Sequence, residues 1–530
     1  MQLFKKNHII FTGCFFVLII IYHYFEIYFL RPQSMHLWRQ TDCLSLALNY
    51  YEHGMHFFSP EIHNQLADGG DSGYSAGEFP ILYYFVALVW KVFGYHEFYY
   101  KLIVTLISFS GFFALYKTME GLLKDTFWGI TVSLLIFTSP ILVYYSANFL
   151  TNIPALSFSL IGWYFFYRFF EVKQSRLLYI SMLFFMLAAL LKIPEAINFL
   201  LVAFIYFVDV FTKQLKKRHI IIFQKPFLQS VPFILFAVGV FSWYAYAKHF
   251  NDDHNGKYTF NDIWPIWRMT SEQIINVYDF VTKIMMYQLF HNSMFYLCVS
   301  SLVIMMLSFK KINKLYFSLL FLFFIGSCTY LILWFNALDA HDYYLINILI
   351  WPAFILLVIL DFVRRNYSSF FVSKKIKLLF TLFVMLNIAY CSTNIKMRYW
   401  IGNNNTQFFA TDYEKGYWWF TNDNYKNYKE ALGTIEHYNR SLGILATDKI
   451  ICMPDPSINI SLYLMHQKGF TDYGNLDLAG KDRIIHAITH GAKYLFIINK
   501  ELLKQDYLTP FTTKKIGEYK NILIYDLRTN

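Results

Sequence analysis

Between residues 8 and 395 the chain is built from long apolar runs almost free of charge. A helix of about 20 mostly apolar residues is enough to cross a bilayer. In lipid, every backbone polar group must be satisfied inside its own segment, so such runs can only be packed helices. Eleven segments qualify, at about 8–30, 99–116, 127–146, 149–167, 177–192, 195–209, 228–247, 291–309, 315–335, 344–362 and 377–395. The pair 177–192 and 195–209 is short and broken at Lys192-Ile193-Pro194-Glu195, so it reads as a hairpin turning at a membrane surface. Composition agrees: 56% of residues are hydrophobic and 15% charged, against about 45–50% and about 25% in soluble domains. Disordered, collagen-like and disulfide-scaffold chains are excluded. The six cysteines are scattered, lack metal-site spacing and read as structural.

The expected fold class is mainly α, a polytopic bundle of about eleven spans with a small α/β domain outside the membrane. Residues 1–395 form the membrane domain, with 31–98 as its long first external loop, and 396–530 the soluble domain. The net charge of +11 is explained by topology. Of 46 Lys and Arg, 20 fall in loops on one side, 9 in loops on the other and 17 in the tail. Basic loops stay cytoplasmic, which places the N-terminus inside. An odd number of spans then puts the tail outside. The first span has no small-residue cleavage site after it and reads as a retained anchor. In the tail, Lys449–Met453, Tyr494–Asn499 and Ile522–Tyr525 look like buried strands. Asp455-Pro456-Ser457 caps a helix that Gly469 stops, and a second helix covers Asp482–His490.

The polar chemistry concentrates in 31–98, with seven carboxylates and five histidines. Leu44, Ala47, Leu48 and Tyr51 share one helical stripe, so a helix is expected from Asp42 to His53, stopped by Gly54. Asp42 then falls in the first turn, where backbone N–H groups and the helix dipole keep a carboxylate ionised. It is either a cap or a functional carboxylate, a general base or a cation ligand. Four glycines loosen the segment 68–80 before Pro80 opens a helix ending at Gly94. Glu78, just ahead of that helix, is either an entry carboxylate or the acid of a lid that excludes water. Arg39 lies one turn before Asp42. Lys192 and Arg268 suit phosphate binding or snorkelling, and His341 and Tyr344 suit a site or an aromatic belt. Nucleotide loops, HExxH and GxSxG are missing, and the loop histidines lack zinc spacing. A carboxylate-bound divalent ion stays open.

Four segments carry a resemblance: Trp38-Arg39-Gln40-Thr41-Asp42, Gly77-Glu78-Phe79-Pro80 followed by Tyr83 and Tyr84, Lys192-Ile193-Pro194, and His341-Asp342-Tyr343-Tyr344. With one span, a long external loop, many spans and an appended domain, the chain resembles the GT-C membrane glycosyltransferases. The protein O-mannosyltransferase (family 39) and lipid A aminoarabinose transferase group is the nearest. The resemblance implies that Asp42 is the catalytic acid residue of the first loop. It implies that Glu78 lies at the active site and can help bind a metal ion. Phe79 stands where the aminoarabinose transferases have Lys, leaving Arg39 and Lys192 as substitutes, and Cys43 replaces the second acid of the mannosyltransferase pair. The implied reaction moves a sugar from a polyprenyl-phosphate donor to a hydroxyl of a lipid, glycan or protein acceptor. Asp42 takes the hydroxyl proton and the configuration inverts. The implied setting is a bacterial inner membrane, with the soluble domain in the periplasm. The alternative is a transporter or flippase of lipid-linked glycans. A transporter would show paired halves and polar groups at mid-membrane.

Overall fold

The computed structural model describes residues 6–69, 72–211, 222–256, 258, 263–402, 408–473 and 478–528. Gly70, Asp71 and the basic run Lys213–Arg218 lie outside them. Six helices are long and apolar enough to span a membrane: Glu97–Leu123, Ile193–Phe211, Pro226–Asp253, Lys314–Leu333, Asp342–Asn366 and Lys374–Tyr399. Two bent pairs, Thr126–Ile136 with Pro140–Ser146 (82°) and Ser271–Leu289 with Asn292–Leu307 (90°), raise this to eight if each is one span.

That is fewer than the eleven apolar runs in the sequence, because hydropathy does not register breaks or short lengths. The helix Ser175–Leu191 has 17 residues, about 26 Å at 1.5 Å per residue, against a hydrocarbon core of roughly 30 Å. The first apolar run stops at Ile21, and left-handed His23 (φ 58°) starts the separate turn Tyr24–Ile27. Pro140 restarts the run 127–146 in a new direction. The expected hairpin is present: Ser175–Leu191 ends at extended Lys192, and a 3-10 turn over Ile193–Glu195 leads into the next helix. Helix Asp342–Asn366 is almost wholly enclosed by the others. Gly111 lets Glu97–Leu123 press onto Asn152–Val172, since a Cβ there would lie 2.6 Å from the Cα of Ser157.

The layer beside the long apolar helices starts with Leu37–Glu52, packed on Ile81–Phe93. Gly54 (φ 93°) and Gly94 (φ 85°) follow these helices in conformations other residues resist. The tail carries one mixed sheet of β1 (Lys449–Met453), β2 (Gly469–Phe470), β3 (Ala492–Ile497), β4 (Lys515–Tyr519) and β5 (Ile522–Asp526), in the order β2-β1-β3-β5-β4. β1 runs parallel to β2 and β3, while β5 is antiparallel to β3 and β4. The three expected strands are present. β2 is only two residues long and β4 is partly exposed, so neither gives an apolar signal. Gly469 does not stop a helix. The helix Ile460–Met465 ends at left-handed His466, and Gly469 lies in β2 with no room for a Cβ against the Ile450 carbonyl.

The tail docks on the first external loop through specific polar contacts. Asn64 donates to the Ile458 carbonyl (2.7 Å) and to the Thr471 hydroxyl (2.8 Å). Glu97 accepts from Arg31 (3.1 Å) and from the Tyr463 hydroxyl (2.9 Å). Lys468 pairs with Glu61, and His466 with Glu52. This docking closes one side of the site.

Candidate active site

Asp42 is the sixth residue of the helix Leu37–Glu52, which begins five residues earlier than the apolar stripe implies. It therefore sits in the second turn, where the first-turn N–H groups are out of reach, and its side chain is fully buried. Other partners replace the helix terminus. The Tyr258 hydroxyl donates to Oδ2 (2.9 Å) and the Asn459 amide to Oδ1 (2.8 Å). Arg39, one turn before it, approaches Oδ2 at 3.8 Å. Burial pushes the Asp42 carboxyl up to about 6, against the pull of Arg39 and the two hydrogen bonds. The expectation of a strongly ionised first-turn carboxylate is thus corrected: desolvation outweighs the stabilising neighbours.

Glu78 is also buried, but its balance is reversed. Arg39 Nη2 donates to both carboxylate oxygens (2.5 and 2.6 Å), Lys192 pairs with Oε1, and the Tyr83 hydroxyl donates to Oε2 (3.1 Å). Burial alone would raise this carboxyl. The two cations overcome it and hold Glu78 down at about 2. Lys192 is lowered by burial against the attraction of Glu78. Lys192 reaches Glu78 from the hairpin tip 114 residues further on.

Glu78 and Lys192 open into a cleft of ≈ 280 Å³ walled by Tyr330, Trp334, Tyr343 and Tyr344. Tyr343 and Tyr344 stack with centroids 5.0 Å apart, and the Lys192 ammonium lies 6.0 Å from the Tyr343 ring centroid. His341 stands beside this wall, stacked on His36 at 5.2 Å. Burial and the neighbouring His36 push it down to about 3, so it is neutral at physiological pH. Arg268 does not join the group. It is exposed at the end of the turn Ile266–Arg268.

A divalent ion on Glu78 does not fit these residues. Among the described residues no three His, Cys, Asp or Glu side chains converge on one point, and the Glu78 oxygens already face Arg39 and Lys192.

Asp342 anchors a second buried group. It accepts from Tyr145 (2.6 Å) and Arg398 (2.5 Å), with His36 at 3.3 Å. Tyr258, Asn459 and Arg398 are absent from the sequence-based reading. Tyr258 and Asn459 lie in no recognisable motif, and Asn459 is 417 residues from its partner Asp42. Arg398 looks like an ordinary basic residue after a span.

Six helices of spanning length make this an integral membrane protein. Residues 77–243 match the family model described as dolichyl-phosphate-mannose-protein mannosyltransferase, a stretch that holds Glu78 and Lys192. The fold is similar to that of ArnT from Cupriavidus metallidurans in the apo state. The TM-score is 0.59 at 9% identity, covering 97% of this chain and 98% of that one. The same protein bound to undecaprenyl phosphate aligns with a TM-score of 0.58. The Archaeoglobus fulgidus oligosaccharyltransferase aligns with a TM-score of 0.53 at 12% identity, over 91% of this chain and 67% of that one. The arabinofuranosyltransferase AftD from Mycobacteria gives 0.52 at 10% identity, over 97% and 41%. No curated protein sequence matches the chain. The family match and the shared fold indicate a membrane glycosyltransferase, in line with the resemblance carried by the sequence segments.

Proposed function

We propose that the protein transfers a sugar from a polyprenyl-phosphate donor to a hydroxyl of a lipid, glycan or protein acceptor, with Asp42 as the general base. The observation that carries this reading is one arginine shared by two unlike carboxylates. Arg39 links buried Asp42, poised at about 6, to ionised Glu78 at the mouth of an aromatic cleft. A base whose pKa lies near the working pH is both unprotonated and strong enough to act. Glu78, held at about 2, has no proton to give at neutral pH. Its role is to hold Lys192 at the cleft and Arg39 beside Asp42.

The donor phosphate needs cations and its chain needs an apolar groove. Lys192 and Arg39 supply the first as charge-assisted donors. A groove of ≈ 420 Å³ supplies the second, lined by Met306, Phe321, Phe324, Leu331 and Trp351. The helix Lys314–Leu333 joins it to the cleft through Tyr330. The undecaprenyl phosphate bound to ArnT supports this class of donor. In the step itself, the acceptor oxygen bonds to the anomeric carbon while its proton passes to Asp42. The bond from that carbon to the phosphate oxygen breaks, the lipid phosphate leaves beside Lys192, and the configuration inverts. The layout that suits this reaction is 1–395 in a bacterial inner membrane, the N-terminus in the cytoplasm, and 31–98 and 396–530 in the periplasm.

The test is to incubate the purified protein with a panel of radiolabelled undecaprenyl-phosphate sugars and a membrane lipid or peptidoglycan extract. Label moving from the lipid phosphate to an extract component is the expected result. Label crossing vesicle membranes still attached to its lipid phosphate would contradict the proposal and favour a flippase.

A further inference from the structure

The tail of the chain reaches the catalytic carboxylate directly. Asn459 is fully buried at the start of the short helix Ile460–Met465. Both ends of its amide are committed. Its oxygen accepts from the backbone N–H of Asn64 (3.2 Å), and its nitrogen donates to Asp42 Oδ1 (2.8 Å). Because the oxygen is taken by an N–H donor, the NH2 group has to face Asp42.

The segment that presents Asn459 is held on all sides. Asp455 accepts from the Ser457 backbone (3.0 Å), the Ser457 hydroxyl (2.6 Å) and the Ser461 backbone (2.9 Å). Asn64 grips the Ile458 carbonyl and Thr471, and Thr471 donates back to the Ser457 carbonyl (2.7 Å). An amide this constrained costs little reorganisation when it binds charge. Nothing about general structural support requires its donor to end on the buried carboxylate that Arg39 shares with Glu78. A docking contact elsewhere, such as Lys468 with Glu61, has no such partner.

We infer that Asn459 is a positioning residue for the transfer reaction, and that the tail is a working part of the active site through this amide. The inference rests on Asp42 being the base. Asn459 holds the carboxylate rotamer and stabilises its ionised form, so that the carboxylate stays available to the acceptor hydroxyl.

The test is the pH dependence of kcat/KM in the full-length protein and in Asn459→Ala and Asn459→Asp, using the lipid-linked sugar that gives transfer. Losing a hydrogen bond to a charged group is expected to move the acid limb upward by about one pH unit in Asn459→Ala. In Asn459→Asp two close carboxylates share a proton, so the limb moves further, and activity returns as the pH is raised. A contact that only supports the fold would lower the rate evenly at every pH. An acid limb unmoved in both variants, or an even loss in both, overturns the inference. Asp42→Asn separates the two readings. If it is inactive while the Asn459 variants keep the wild-type limb, only the present inference fails. If it is active, the assignment of the base fails first.

Discussion

Among the described residues, two acid–arginine groups have both partners buried, and they differ in what they leave open. Around Asp342 every neighbour closes in. Arg398 is 0% exposed, its guanidinium carbon 4.0 Å from the Tyr144 ring centroid and 5.0 Å from that of Trp418. The group ties the end of helix Lys374–Tyr399 to Tyr145 and His36. In the group of Asp42, Arg39 and Glu78, the Glu78 carboxylate and its partner Lys192 line a cleft instead. Buried ion pairs add little net stability over apolar packing, although removing one partner is costly. A pair that borders a cavity therefore points to function, and a sealed one to architecture.

Substitutions can break this contrast. The largest effect is expected from Asp42→Asn, which keeps shape and burial but cannot take a proton. Transfer should fall by about 10²–10⁴-fold, with an unchanged elution profile in detergent. Next comes Arg398→Met, which strands the Asp342 charge. It should destabilise the protein by about 3–5 kcal/mol, seen as a lower thermal midpoint and less folded protein, with any loss of transfer following the loss of fold. Lys192→Met should do the reverse. Glu78 keeps both hydrogen bonds from Arg39, so the fold should survive. Donor KM should rise by about tenfold, the value of one charge-assisted contact. If Lys192→Met unfolds the chain, or Arg398→Met folds but loses transfer, the contrast between the two groups is wrong.

Much of this was legible in the sequence, and what was not has identifiable causes. Asp42, Glu78, Arg39 and Lys192 stand out because charge is scarce and they cluster near predicted boundaries. The structure brings all four together. Hydropathy does not register the breaks at His23 and Pro140, so the apolar runs outnumber the unbroken long helices among the described residues. The start of helix Leu37–Glu52 is missed because it begins after left-handed His36, without a capping side chain. That error also misplaces the origin of the Asp42 environment, assigned to a helix terminus when burial dominates. Asn459 and Tyr258 are invisible for a different reason. Single polar residues in unremarkable segments acquire meaning only when the tail and the second external loop fold back over the first. Arg268 shows the converse, since a cation in an external loop near membrane is not thereby part of a site.

The central claim is that Asp42 is the base and that burial sets its working range near neutrality. The most direct measurement is the wild-type pH dependence of kcat/KM for transfer from the lipid-linked donor. The base must be unprotonated to act, and its carboxyl lies at about 6 in the folded protein. Activity should hold above that value and fall about tenfold per unit below it. A rate that stays flat from pH 7.5 to about 4.5, the ordinary carboxylate range, would contradict the account.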